Sequence, residues 1–288
     1  MKTFKFITTV VFLSLLFSCQ CQTKKSDCCQ RTEKKIALQM YSVRDTISKD
    51  FKGTIAALAE MGFTDMEAAG YKDGMFYGLT PEEFKAELEA VGLNALSSHT
   101  TIQLAEDVNK TNWDEVWSWW DTCIAAHKTA GMKYIVAPWM AVPKTLADLK
   151  VYCDYYNQIG EKCNEAGLSF GYHNHAHEFQ KVEGEIMYDF MLNNTDPEKV
   201  FFQMDVFWTV MGQKSPVDYF NAYPGRFELL HLKDLRELGQ SGMVGFDAIY
   251  RNIEAAGAIY SIIEVEKYSF EPLESIRMSL EYLQTAPF

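Results

Sequence analysis

Of 288 residues, 39 are acidic and 27 basic, a net charge of −12, and the seven cysteines fall into a cluster at residues 19–29 plus three scattered positions, Cys123, Cys153 and Cys163. So acidic a chain repels phosphate backbones, which argues against a nucleic-acid partner. Cysteines placed this way outline neither a disulfide framework nor a Cys-based zinc site, and the three in the body of the chain read as small buried hydrophobes.

The N-terminus carries Lys2 and Lys5, an apolar run from Phe6 to Phe17, and small Ser18 before Cys19. That is the pattern of a secretory signal over residues 1–18, too short for a spanning helix. Leu16-Phe17-Ser18-Cys19 resembles the bacterial lipobox, with Phe17 a poor fit, and marks Cys19 as the lipid-bearing residue of an envelope protein that meets the membrane only through this anchor. Residues 19–35 are polar and without apolar periodicity, so they read as a tether.

The remaining 253 residues, 36–288, form one domain of the size typical of a (β/α)8 barrel. Without residues 1–35, which hold seven basic and two acidic residues, 20 basic and 37 acidic side chains remain, a net −17. Along this segment one junction recurs: an amphipathic helical stretch ends in Gly62, Gly92, Gly131, Gly167, Gly225 or Gly257, and a short apolar run follows at once. Glycine suits the left-handed position past a helix end, and short apolar runs suit parallel strands buried on both faces. With IALQMYSV at Ile36 and VFFQMDVFW at Val200, the strands start near residues 36, 63, 93, 133, 168, 200, 227 and 259. Stretches such as PEEFKAELEAVG and EPLESIRMSLEYLQ, with Pro81 and Pro272 in their first turns, fill the gaps as helices. Eight such units fit an open doubly wound sheet or a closed barrel. Polar residues at most strand ends favour the barrel, because an open sheet gathers ligands only at its switch point.

Those strand ends carry Glu67, His99, His173 and His175, Asp205, His231 and Lys233, and Glu264 and Glu266. Alternation along a strand places each of the pairs His173/His175, His231/Lys233 and Glu264/Glu266 on one face. Carboxylates do not enter an apolar interior without compensation, and a divalent cation is the simplest one. Mixed imidazole and carboxylate donors suit Mn²⁺, Zn²⁺, Co²⁺ or Fe²⁺ better than Ca²⁺ or Mg²⁺. We expect one such ion, Mn²⁺ first. His127, on a helix, reads as an ordinary surface or packing residue. The densest motif is YHNHAHEF, Tyr172 to Phe179, just past an apolar strand where the functional loops of a barrel begin, with Glu178 placed to reach back over the site.

Together QMYSVRD, SSHT, YHNHAHEF, QMDVFWTVMG, HLKD and IIEVEKY, spread over residues 36–288, resemble the xylose isomerase-like barrels of the sugar phosphate isomerase/epimerase type. The resemblance implies a metal held by one residue from each of the fifth to eighth strands; here those positions are His173, Asp205, His231 and Glu264. It implies enolisation of a sugar or keto-sugar as an isomerase or epimerase, with Glu264 or Glu266 as base, His175 or His99 as partner acid and Lys233 as an oxyanion contact. Glu67, His99, Trp139, Glu178 and Trp208 complete the expected substrate contacts. One departure stands out: related ketose epimerases carry glutamate where this chain has His173, so the two-glutamate mechanism does not transfer intact. The alternatives are a lyase or hydratase acting on 3-keto-glycosides, a phosphodiesterase of the endonuclease IV kind, which the negative charge disfavours, and a non-catalytic sugar-binding lipoprotein. The expected partner is a small carbohydrate, unphosphorylated, and a homodimer is compatible with the exposed faces of a barrel.

Overall fold

The computed structural model describes residues 34–288, so the signal, Cys19 and almost all of the tether lie outside the described residues. Among the described residues no helix is long and apolar enough to cross a membrane. Eight parallel strands alternate with helices: β1 (Ile36–Gln39), β2 (Asp65–Ala68), β3 (Asn94–Ser98), β4 (Tyr134–Ala137), β5 (Ser169–His173), β6 (Val200–Asp205), β7 (Leu229–Lys233) and β8 (Tyr260–Glu264). They pair in the order β3-β2-β1-β8-β7-β6-β5-β4, so every stave lies beside its sequence neighbour. The ring is completed where β3 meets β4. There the pairing narrows to a bridge between His99 and Val136, with backbone bonds Thr100 N–H to Val136 O and Lys133 N–H to Leu96 O, both 2.9 Å.

The helices begin where the sequence offers a cap. Asp50, Thr80, Asn112, Thr145 and Ser215 each accept, through the side chain, the backbone N–H three residues on. Thr80 and Glu83 form a reciprocal capping box with Pro81 at the first helical position. At the other end Gly167 takes φ 81°, and the next residue, Leu168, returns its N–H to Cys163 O, which turns the chain straight into β5.

β4, β6, β7 and β8 are buried along their full length, as staves covered on both faces must be. One apolar layer lies between strands and helices. A second, smaller one fills the bottom of the ring with Leu96, Val136, Phe201, Leu229 and Ile262. Two residues further along these strands the inward positions become polar: Phe201 is followed by Gln203 and Asp205, Leu229 by His231 and Lys233, Ile262 by Glu264. Gly171, two before His173, faces Phe201 so closely that a Cβ there would sit 2.4 Å from the ring, so only glycine lets the apolar floor close.

Two strands are shorter than their apolar runs suggest. After Gln39 the chain enters a 3-10 turn, Met40–Val43, and after Asp205 a helix, Val206–Met211. The cause at the second site is the Asp205 side chain, whose Oδ1 accepts from Trp208 N–H at 2.8 Å and caps the new helix. His127 is fully buried between Tyr71 and Phe76 and is a packing residue.

Candidate active site

The polar inward positions meet at the C-terminal end of the ring. Asp205, His231 and Glu264 bring one ligand atom each within 4.8 Å of one another, and all three are buried. Neighbouring strands set this up by register, since Asp205 pairs with His231 across β6 and β7 and Lys233 with Glu264 across β7 and β8. Two atoms in the group have no hydrogen-bond partner: Asp205 Oδ2 and His231 Nδ1. Buried polar atoms are almost always paired, so two unpartnered ligand atoms beside a carboxylate are what the protein side of a cation site presents, the ion taking the place of the His231 proton. The donor set, one imidazole and two carboxylates, fits a first-row divalent ion.

Charges around the trio follow from burial and neighbours. Burial drives the Asp205 carboxyl up, Lys233 and His231 hold it back, and it settles at about 7. His231 is pushed down by burial but more strongly up by Glu67 and Glu264, to about 10. Glu264 is raised by burial and lowered further by the nearby His231 and by Lys233, so it stays well below the carboxylate range. Lys233, itself buried, reaches Glu264 at 3.1 Å and Glu266 at 2.6 Å and lies 5.1 Å from the Trp208 ring.

Of the four ligands expected, His173 is the one outside this trio. It groups instead with His99 and His231, its ring 4.6 Å from that of His231. Burial and the neighbouring His231 and His99 keep it neutral, its pKa well below the ordinary value. An open cavity of about 310 Å³ lies over the site, walled by Tyr41, His99, His173, His175, Glu264 and Glu266 among others. His175 is also held neutral, at about 4, by burial and then by His177 and Lys233. Glu178 is fully buried, accepting from Tyr172 Oη at 2.7 Å and from His175 N–H at 2.8 Å, so it braces the rim rather than reaching over it. Trp208 packs beside His175, and Trp139, 44% exposed, beside His177.

Glu67 sits deeper than a rim residue. It is completely enclosed and takes bonds from Gln39, Ser97, Gln203 and His231 at 2.6–2.8 Å, with His99 at 3.1 Å. A register shift between Met66 and Glu67 accompanies this placement. Burial alone would raise its pKa, but His99 and His231 outweigh it and hold it well below the ordinary value. Gln39, Ser97 and Gln203 carry no titratable group and so do not stand out at their strand ends, and neither does Asn174, whose Oδ1 accepts from Asp205 N–H. The signal was nevertheless present: Gln203 stands two residues before Asp205, on the same face.

Fold and site together define a closed parallel barrel with a cluster of imidazoles and carboxylates at its mouth. Residues 55–286 match the xylose isomerase-like TIM barrel family, and the chain belongs to it. A sugar phosphate isomerase/epimerase from Parabacteroides distasonis is 34% identical, covering 88% of this chain and 99% of that one with a TM-score of 0.81. At 12% identity the IolI protein, solved with a bound zinc atom, shares the fold with a TM-score of 0.68 over 86% of this chain and 96% of its own. An inosose dehydratase from Lacticaseibacillus casei is 31% identical over 80 residues, which span 28% of this chain and only 26% of that enzyme.

Proposed function

We propose that the protein is a divalent-metal-dependent isomerase or epimerase that removes a proton next to the carbonyl of a sugar or keto-sugar. The observation that carries this reading is the trio Asp205, His231 and Glu264 with its two unpartnered ligand atoms beneath an open cavity. A cation held there, with His173 as the fourth ligand, supplies Lewis acidity at a substrate carbonyl or hydroxyl. The protein does the rest. Glu266, on the cavity wall and steadied by Lys233 Nζ, takes the proton from the adjacent carbon. His99, or His175 once it has taken a proton from solvent, delivers a proton from the β3 and β5 side, and Glu266 loses its own to solvent. Lys233, committed to Glu264 and Glu266, orients both carboxylates and keeps a positive charge beside the developing oxyanion. Trp139 and Trp208 offer aromatic faces to a sugar ring.

A second reading is a lyase or hydratase, in which a hydroxyl one carbon further leaves after the same proton abstraction. The inosose dehydratase match and the histidine at position 173 favour it. Elemental analysis followed by incubation in D₂O with hexoses, 3-keto-glucosides and inosones tests both readings. Deuterium beside the carbonyl in an isomeric product supports the first, and loss or gain of water the second. Metal-loaded protein that exchanges nothing, and binds the same sugars equally well once stripped of metal, leaves only a sugar-binding role. From residues 1–19 we place the protein in the cell envelope, anchored through Cys19; recovery of Cys19→Ala in the same membrane fraction would remove that assignment.

A further inference from the structure

Hydrogen-bond donors surround Glu67 on every side, which fixes the direction of each bond. Gln39 turns its amide nitrogen to Glu67 Oε1 at 2.8 Å, and its own oxygen is already taken by Tyr41 N–H at 3.0 Å. Ser97 Oγ donates to Oε2 at 2.7 Å. Gln203 lies 2.8 Å from the same Oε2. A carboxylate only accepts, so Gln203 must present its NH₂ there, and its Oε1 is forced to face the opposite way.

That oxygen meets two imidazoles, His99 Nε2 at 2.6 Å and His173 Nδ1 at 3.0 Å. An amide oxygen also only accepts, so both nitrogens must carry hydrogen. His231 Nε2, 2.6 Å from Glu67 Oε1, must donate as well. One buried carboxylate therefore dictates, directly and through a single amide, which nitrogen of three histidines faces the network with a hydrogen. For His231 this leaves Nδ1, 3.5 Å from Glu264 and grouped with Asp205, as the nitrogen that a cation would take in exchange for its proton. His173 is left with a bare Nε2, although Nδ1–H is the less common form of a free imidazole.

We propose that Glu67 is a positioning residue whose hydrogen bonds hold His231 through Nε2–H and, through Gln203, His173 through Nδ1–H, so that each turns its other ring nitrogen to the working side of the site. The cation clause of this proposal rests on the metal reading above; the tautomer clause does not. Outer partners of this kind raise ligand basicity and fix ring orientation, and losing one lowers metal affinity by roughly 10–100-fold.

The test uses the full chain, with and without Zn²⁺, carrying ¹⁵N-labelled histidine rings, read by long-range ¹H–¹⁵N correlation and assigned with single His→Gln variants. Wild type should show His173 protonated at Nδ1 and His231 hydrogen-bonded through Nε2–H with or without metal, His231 losing its Nδ1 proton when Zn²⁺ binds. Glu67→Gln should disturb both patterns and weaken Zn²⁺, measured by chelator competition, by roughly 10–100-fold. The exchange Glu67→Gln with Gln203→Glu lets every bond be remade with acid and amide swapped, and should restore the wild-type tautomers and most of the affinity. Gln203→Met, which leaves Glu67 and His231 in contact, covers the case of a Glu67 variant that does not fold: it should release His173 into mixed tautomers while His231 stays fixed. Wild-type tautomers in both single variants, or a folded double variant as impaired as Glu67→Gln, would overturn the proposal. Wild type that binds no divalent ion yet shows the stated tautomers would count against the metal reading alone.

Discussion

Asp205→Asn separates what the buried acid does to the fold from what it does for the site. The side chain is fully buried, one oxygen has no partner, and its pKa stands at about 7 against an ordinary 3.8. At about 1.4 kcal/mol per pKa unit, that shift amounts to about 4 kcal/mol of destabilisation once the group is ionised in the folded state. The sign follows from proton counting. Between pH 3.8 and about 7 the folded protein keeps a proton that the unfolded chain has released, so stability falls as pH rises through that window and stays low above it. Asparagine has the same shape and no charge. In chelator-treated protein the variant should therefore match wild type below pH 4 and melt higher at pH 8. Mn²⁺ or Zn²⁺ narrows that gap and reverses the order only well beyond a thousandfold excess over Kd, where the gain passes about 4 kcal/mol. At a hundredfold excess over Kd, wild type gains about 2.7 kcal/mol, on the order of 5–10 °C for a barrel of this size, and the variant gains little. Thermal melts at pH 4, 6 and 8, with chelator and with metal, would show the narrowing. An Asn variant that is less stable than wild type in chelator at pH 8, or that gains as much from metal, would refute the reasoning.

Glu266 walls the cavity but is not one of the trio, so Glu266→Gln should lower turnover by about 10²–10⁴ while metal content stays at the wild-type level; co-loss of metal would move Glu266 from base to ligand. His127 is held neutral by burial, its pKa lowered from 6.5 to about 4 despite the bond to Cys123 O. The unfolded chain takes up a proton that the fold refuses over that window, so this contribution is complete above pH 6.5 and is lost as pH falls toward 4, by about 3 kcal/mol. Urea titrations at pH 7.5 and 4.5 should show a smaller acid loss for His127→Phe than for wild type, and equal slopes would rule out His127 as the source.

The eight strands were legible because two local signals agree at most junctions: a helix-ending glycine and an apolar run of strand length. Their far ends were not, because a hydrophobic run does not say where pairing stops; in DVFW the decision lies with one carboxylate that caps a helix. Asp205, His231 and Glu264 stood out as two acids and an imidazole in apolar company, where a charge does not persist without compensation. Gln39, Ser97 and Gln203 did not, since uncharged polar residues at strand ends are ordinary until a buried carboxylate gives them something to hold. Glu67 looked like a rim residue for the same reason: its sequence neighbours are bland, and the donors that enclose it come from four other strands and the segment just beyond β3.

Where β3 meets β4, the staves share little more than the backbone around His99 and Val136. His99 is thus both the clasp of the ring and one of the donors around Glu67. A substitution at His99 therefore acts on two things at once, the packing beside the tie between β3 and β4 and the hydrogen bonding of the buried anion. At that spot one residue serves both the scaffold and the chemistry.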